Sequence, residues 1–192
     1  MRKAIAARMA LVTIFVFAGC AKKGENIFGK KCSADEALKL AKGSDTVVFE
    51  DLKCTSGKKV WDSFYKKVSS GKPASVVTAF YYTLDKDHVS EELYEQEKND
   101  YPVMFFYLVE YDGTGFKVTV RDSSKEEPEK TDTFKYLLHL TGKAREGADY
   151  SAYDRYVLAD EQNITYEDIM AGLVSSRSDA AYHTCFVYSD LK

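Results

Sequence analysis

The sequence predicts an α+β domain, with a single twisted, mostly antiparallel sheet and helices packed on one face. Three observations lead there. Capping signals at Ser33 and Thr165 open two amphipathic stretches, and a helical stripe runs from Val60 to Val68. Runs rich in β-branched and aromatic residues, bounded by turn residues, fill most of the remainder. The order is helix, strand, helix, an antiparallel run, then helix and strand, without the regular alternation of a parallel α/β fold.

The chain begins Met1-Arg2-Lys3, with Arg8 following and no acid nearby. Met9 to Phe17 is apolar or small except for Thr13. That run is too short for a membrane-spanning helix, which needs about 20 apolar residues. A basic start, a short apolar core and small residues before a cut define a secretory signal. Phe17-Ala18-Gly19-Cys20 resembles the lipobox of bacterial lipoproteins, with Phe where Leu is usual. In such proteins the cysteine thiol receives a diacylglycerol, and cleavage leaves that cysteine as the new N-terminus. The expectation is a signal peptide over residues 1–19, a lipidated Cys20 heading a flexible tether to residue 32, and one domain over 33–192. Buried acyl chains contribute about 0.8 kcal/mol per CH₂, so two or more hold firmly. Lys22, Lys23, Lys30 and Lys31 suit anionic head groups, at about 1 kcal/mol per charge near the surface.

Losing residues 1–19 removes three of the 27 basic residues and no acid, leaving 24 against 30 and a formal charge of −6. That balance argues against a nucleic-acid partner, which needs a basic face. A domain of roughly 150 residues buries close to 70% of its unfolded surface, so it folds without a metal or a disulfide. Cys32, Cys54 and Cys185 leave room for at most one internal bridge, whose pairing spacing cannot choose. No Cys/His spacing suggests zinc, and no cofactor motif is present.

The domain opens with Ser33-Ala-Asp-Glu36, the spacing of a capping box, and Gly43 can close that helix. Thr46 to Glu50 reads as a short strand. Val60, Trp61, Phe64, Tyr65 and Val68 recur at helical spacing, turning the single Trp toward the core. Ala74 to Leu84 is a strand, and residues 86–100 form a charged loop or a short exposed helix. Val103 to Tyr111 is apolar on both faces, as a central strand should be. Asp112-Gly-Thr-Gly115 turns the chain back. Phe116, Val118 and Val120 then alternate with Lys117, Thr119 and Arg121, predicting one wet face. Ser123 to Asp132 is a polar loop, and Phe134, Tyr136, Leu138 and Leu140 alternate as one strand. Tyr153 to Ala159 is a further strand. Thr165-Tyr-Glu-Asp168 caps a helix with Ile164 and Ile169 at staple positions. A last strand runs from about His183 to Tyr188.

Catalytic signatures are missing: there is no G-x-S-x-G, H-E-x-x-H, G-x-G-x-x-G or P-loop. His88, His139 and His183 are scattered over three elements. Asp85-Lys-Asp87 with Glu91 is only loosely like a calcium loop and reads as solvated acids. Tyrosine is the unusual feature, with 14 in the chain and many on strands. Its amphipathic ring suits half-wet sheet faces, and equally a platform for peptides or sugars. Tyr81 shares a face with Val77 and Ala79, and Tyr82 with Val76 and Phe80; Tyr107 and Tyr111 lie with Val103, Phe105 and Val109. Both faces are too apolar for open solvent, so either a loop such as 123–132 or 142–152 covers the second or that face is open for a partner; the expectation is loop coverage with a smaller aromatic patch remaining.

The tethered signal, the Val47-Val48-Phe49 strand, Trp61-x-x-Phe64, Gly71-Lys-Pro-Ala-Ser-Val76, Tyr81-Tyr-Thr83 and Phe106-x-x-Val109-x-Tyr111-Asp-Gly113 resemble uncharacterised lipoproteins of Gram-positive bacteria that carry a small domain of unknown function. The likeness covers about residues 46–122. The family more usually has Glu-Gly-Asp-Pro after the Tyr-Thr pair, where this chain has the charged loop from Asp85 to Asp100. The resemblance implies a cell-surface setting and brings no activity.

The resulting expectation is a lipid-anchored protein on the extracytoplasmic face of the cell membrane. Its domain binds a peptide, protein or glycan without catalysis. Two alternatives stand beside it: a hydrolase-type enzyme with a site assembled from distant residues, and a small-molecule-binding lipoprotein. A pocket lined by a His and two carboxylates would mark the enzyme.

Overall fold

The capping signals act where their spacing places them. In the computed structural model, which describes residues 27–175 and 181–192, the elements run α1 (Ala34–Lys42), β1 (Thr46–Glu50), β2 (Lys53–Ser56), α2 (Lys58–Val68), β3 (Ala74–Tyr82), α3 (Glu91–Glu97), β4 (Val103–Tyr111), β5 (Phe116–Asp122), β6 (Lys130–Phe134), β7 (Tyr136–Lys143), β8 (Ala152–Ala159), α4 (Tyr166–Val174) and β9 (Thr184–Leu191). The signal segment, Cys20 and the tether up to residue 26 lie outside the described residues. Ser33 Oγ accepts the Glu36 amide at 3.3 Å to start α1. Thr165 and Asp168 cap α4 reciprocally, and Ile164 and Ile169 are buried beside them. Among the described residues no helix is long and apolar enough to cross a membrane.

The α+β class holds, with mostly antiparallel pairing. The expected single sheet is two: six strands in the order β2-β1-β3-β4-β5-β6 and three in the order β7-β8-β9. The run from Phe134 to Leu140 looked continuous because its apolar alternation does not break. The chain nevertheless changes sheet at Lys135. Phe134 pairs with Phe116 of β5, whereas Tyr136 pairs with Ala159 of β8. β6 also takes the end of the segment expected to be a polar loop. The one parallel pair, β1 with β3, is bridged by α2, the sort of crossover that parallel strands require.

Strand β2 carries no sequence signal as a hairpin partner. Glu50 faces Lys53, leaving a two-residue turn, Asp51-Leu52, with φ of 46° and 66°. Both positive values are what a type I′ hairpin demands, normally from Asn-Gly. A leucine in the left-handed region is a genuine outlier. The turn of chain into α2 uses glycine instead. Gly57 has φ +79°, and a Cβ there would sit 2.2 Å from the Thr46 carbonyl oxygen.

Helices lie on both sides of the six-stranded sheet, in place of the one side expected. Ala37 and Ala41 of α1 pack on Val48, Val77, Ala79, Met104 and Phe106. The opposite face meets the three-stranded sheet and α2: Phe49, Phe80 and Val109 share a core with Trp61, Tyr156, Leu158 and Tyr188. Helix α4 covers the outer face of the smaller sheet through Ile169, against Val157 and Ala159. The layers thus run α1, large sheet, small sheet with α2, α4. The second face of β3 and β4 is covered by α1 rather than by loops 123–132 or 142–152.

Residues 27–32 lie on the domain, joining α1 on that side. Ile27 and Phe28 pack with its core, and the Cys32 amide donates to the Ser123 carbonyl at 2.9 Å. Lys30 pairs with Glu36 at 3.0 Å, and Lys31 lies 4.0 Å from Glu126. This packing overturns the wet face expected on β5, where Arg121 is 1% exposed. Its guanidinium donates to the carbonyls of Ile27 (3.2 Å), Lys30 (3.0 Å), Asp122 (3.3 Å) and Lys125 (2.7 Å), between the rings of Phe28 and Phe106. Four oxygens replace much of the lost hydration, which is what makes a buried cation tolerable.

Candidate ligand-binding cleft

The end of β9 is tied to the β1–β2 hairpin: the Leu191 amide donates to the Leu52 carbonyl at 3.1 Å, and the Cys54 amide to Asp190 Oδ1 at 3.2 Å. Beside this junction lies a cavity of about 350 Å³ that both sheets line. Leu52, Phe80, Tyr82 and Tyr107 line it from the hairpin and the large sheet; Arg155, Thr184, Cys185, Phe186 and Ser189 line it from the small sheet. Arg155 and Ser189 are register partners, so their side chains leave the same face. A bulge follows, because Tyr156 pairs with Tyr188 but Val157 with Phe186. Bulges commonly re-aim a side chain, and here Phe186 meets the Arg155 guanidinium at 5.1 Å. Tyr166 of α4 lies on it as well, at 5.3 Å.

Arg155 is 9% exposed, and its Nε is sealed from solvent without a partner. Its terminal nitrogens make no hydrogen bond or ion pair with any described residue, and they are not sealed as Nε is; Arg121 Nε is sealed and unpartnered too. Arg121, which also lies over two rings, has four carbonyls. Ser189 Oγ is also buried and unpartnered. Burial pushes the phenols of Tyr82 and Tyr107 above their ordinary range, and the Cys185 thiol up to about 12. All three remain protonated at neutral pH, so Cys185 is no nucleophile and the cleft is a wall of donors. No carboxylate lines it. A second cavity of about 260 Å³, between α2 and β3, is lined by Lys59, Val60, Phe64 and Lys67 among others. None of these lining residues, all of them described, leaves a buried polar atom unpartnered.

The residues singled out in the sequence lie elsewhere or play lesser parts. Each histidine is held by an aspartate: His88 by Asp85 (2.7 Å), His139 by Asp154 (2.8 Å) and His183 by Asp160 (2.8 Å). His183 also comes within 3.9 Å of Asp132, yet its side chain is 49% exposed and it lines neither cavity. Asp85 is committed to its own turn, accepting the Asp87 amide at 2.9 Å as well as His88. Among the described residues no group of three or more His, Cys, Asp or Glu could hold a metal. Cys32, Cys54 and Cys185 are free thiols. Tyr81, Tyr82, Tyr107 and Tyr111 are all half-buried; Tyr81 donates to Asp35 at 2.7 Å, and Tyr111 to the Gly113 carbonyl at 2.8 Å. They form no open tyrosine face, although Tyr82 and Tyr107 reach the cleft.

The sequence reading passed over Arg155 and Ser189. A signal existed for the first. Arg155 is in phase with Tyr153, Val157 and Ala159, a cation among the apolar residues of the face that α4 covers.

The Asp85–His88 pair has a pH signature. The hydrogen bond that His88 donates to Asp85 raises the His88 pKa from its ordinary 6.5, and the bonds Asp85 accepts from the Asp87 amide and from His88 lower its own. The histidine's contribution to stability is present below about 6.5 and fades as pH rises through the raised value. The aspartate's is present above its ordinary range and is lost as pH falls through the lowered one. By NMR, His88 should titrate above 6.5, and Asp85→Asn should bring it back; an unchanged midpoint in the variant would dismiss the pairing.

Compared with protein-family models, curated proteins and solved structures, the chain matches none. The likeness to Gram-positive lipoproteins therefore assigns no family, and function has to be argued from the cleft and the N-terminal sequence.

Proposed function

We propose that this protein is a lipid-anchored, extracytoplasmic domain that binds a small molecule in the cleft that both sheets line, without transforming it. The observation that carries the binding half is the Arg155 side chain, 9% exposed and without a partner among the described residues, in a cleft that also holds the hydroxyls of Tyr82, Tyr107 and Ser189. A group held so lacks a partner that a ligand can supply. The cleft offers neither a base nor an ionised nucleophile, which favours binding over hydrolysis. Its volume suits a small molecule better than a peptide or glycan, since pockets for drug-sized ligands run from about 300 to 1,000 Å³.

The anchor rests on Phe17-Ala18-Gly19-Cys20 behind a basic, apolar leader. Globomycin, which blocks the lipoprotein peptidase, should leave a longer precursor. Cys20→Ser should move the protein from the membrane fraction to the soluble one. Retention of that variant at wild-type levels would refute the anchor.

A further inference from the structure

We infer that the cleft takes a small organic acid, its carboxylate on Arg155 and Ser189 and its apolar body against Leu52, Phe80 and Phe186. This rests on reading the cleft as the binding site, and goes further by naming the ligand's chemistry.

Charge selects the head group. The lining holds one cation and no acid, so a singly charged anion neutralises it. A phosphate dianion would leave net negative charge in a low-dielectric cleft. Geometry agrees. The guanidinium offers parallel N–H donors in a rigid fork that a carboxylate matches with both oxygens. A carboxylate has about four acceptor sites. The fork fills two, and the unpartnered Ser189 hydroxyl is placed by register beside it. The Tyr82 and Tyr107 hydroxyls, which make no hydrogen bond to described residues, are further donors at the wall. Phe186 and Tyr166 hold the guanidinium carbon over their rings, at 5.1 and 5.3 Å, without taking any of its N–H donors. The remaining walls are aliphatic and aromatic, which calls for an apolar body.

The test is a titration of the full-length protein in detergent with benzoate, its neutral isostere benzamide, benzyl alcohol and inorganic phosphate, read by calorimetry. Benzoate should bind saturably and at least tenfold more tightly than benzamide. Arg155→Met should weaken benzoate at least tenfold while leaving the thermal midpoint of the free protein nearly unchanged, because it breaks no hydrogen bond to a described residue. Ser189→Ala should weaken benzoate about fivefold, the worth of one hydrogen bond; it carries the test should Arg155→Met fail to fold. Equal binding of benzoate and benzamide would overturn the carboxylate inference and leave the cleft as a binding site. So would phosphate binding tighter than benzoate, or benzoate undiminished by Arg155→Met. Failure of all four probes would overturn the inference and the binding reading together.

Discussion

Replacing Trp61 with alanine should destabilise the domain by about 3–5 kcal/mol, the usual cost of deleting a buried aromatic. Trp61 is 1% exposed and sits where three layers meet. Its ring lies 5.4 Å from Phe64 of its own helix, and 5.0 and 4.9 Å from Tyr156 and Tyr188 of the small sheet. Neither the sheets nor the eleven-residue α2 can close over the space left, because each is pinned by its own ladder or turns. Small domains are stable by only about 5–15 kcal/mol, so the loss is a large share. It is the only Trp, so the melts must be followed by circular dichroism. A loss under 1 kcal/mol would mean that the ring is not a keystone between the layers.

The second large effect separates the two buried arginines. Arg121→Met should cost about 3 kcal/mol, whereas Arg155→Met should cost little. Hydrogen bonds to charged groups contribute about 1.5–3 kcal/mol each. Two of the four carbonyls, those of Ile27 and Lys30, can return to water if the segment lifts, which caps the penalty. Lifting exposes the Cys32 amide now bonded to Ser123. Hydrogen exchange at Cys32 should therefore quicken in Arg121→Met even where the global melt moves modestly. Equal melts for both variants would show that the carbonyl cage contributes nothing.

Much of the fold was legible because local rules decided it. The Ser33 and Thr165 caps, the Val60–Val68 stripe and the two-faced apolarity of Val103–Tyr111 each depend on residues a few positions apart. What escaped depended on distance. Phe134 and Tyr136 are two residues apart and in phase, and only their partners, Phe116 and Ala159, reveal different sheets. The Asp51-Leu52 turn lacks the usual glycine because the tertiary tie from Leu191 holds Leu52 in an unfavourable region. Arg121 alternates with wet positions and reads as exposed until the segment at Ile27 is laid over it. The cleft was illegible for the same reason: Leu52, Tyr107, Arg155 and Ser189 come from four separated stretches. The tyrosines hinted at a binding role, but as an open face; two of them serve instead as inner wall.

The clasp of Arg121 on Ile27 and Lys30 also sets a leash. With the lipid proposed at Cys20, only residues 21–26 separate anchor from clasp. Even drawn straight, that stretch spans no more than about 25 Å. The domain would ride close to the head groups, moored from the side that carries α1, with little freedom to turn over. The cleft belongs to the other face of the large sheet. A segment clasped on the α1 side therefore leaves the cleft uncovered, and a short leash would hold the domain near the membrane without drawing the tether across its binding residues.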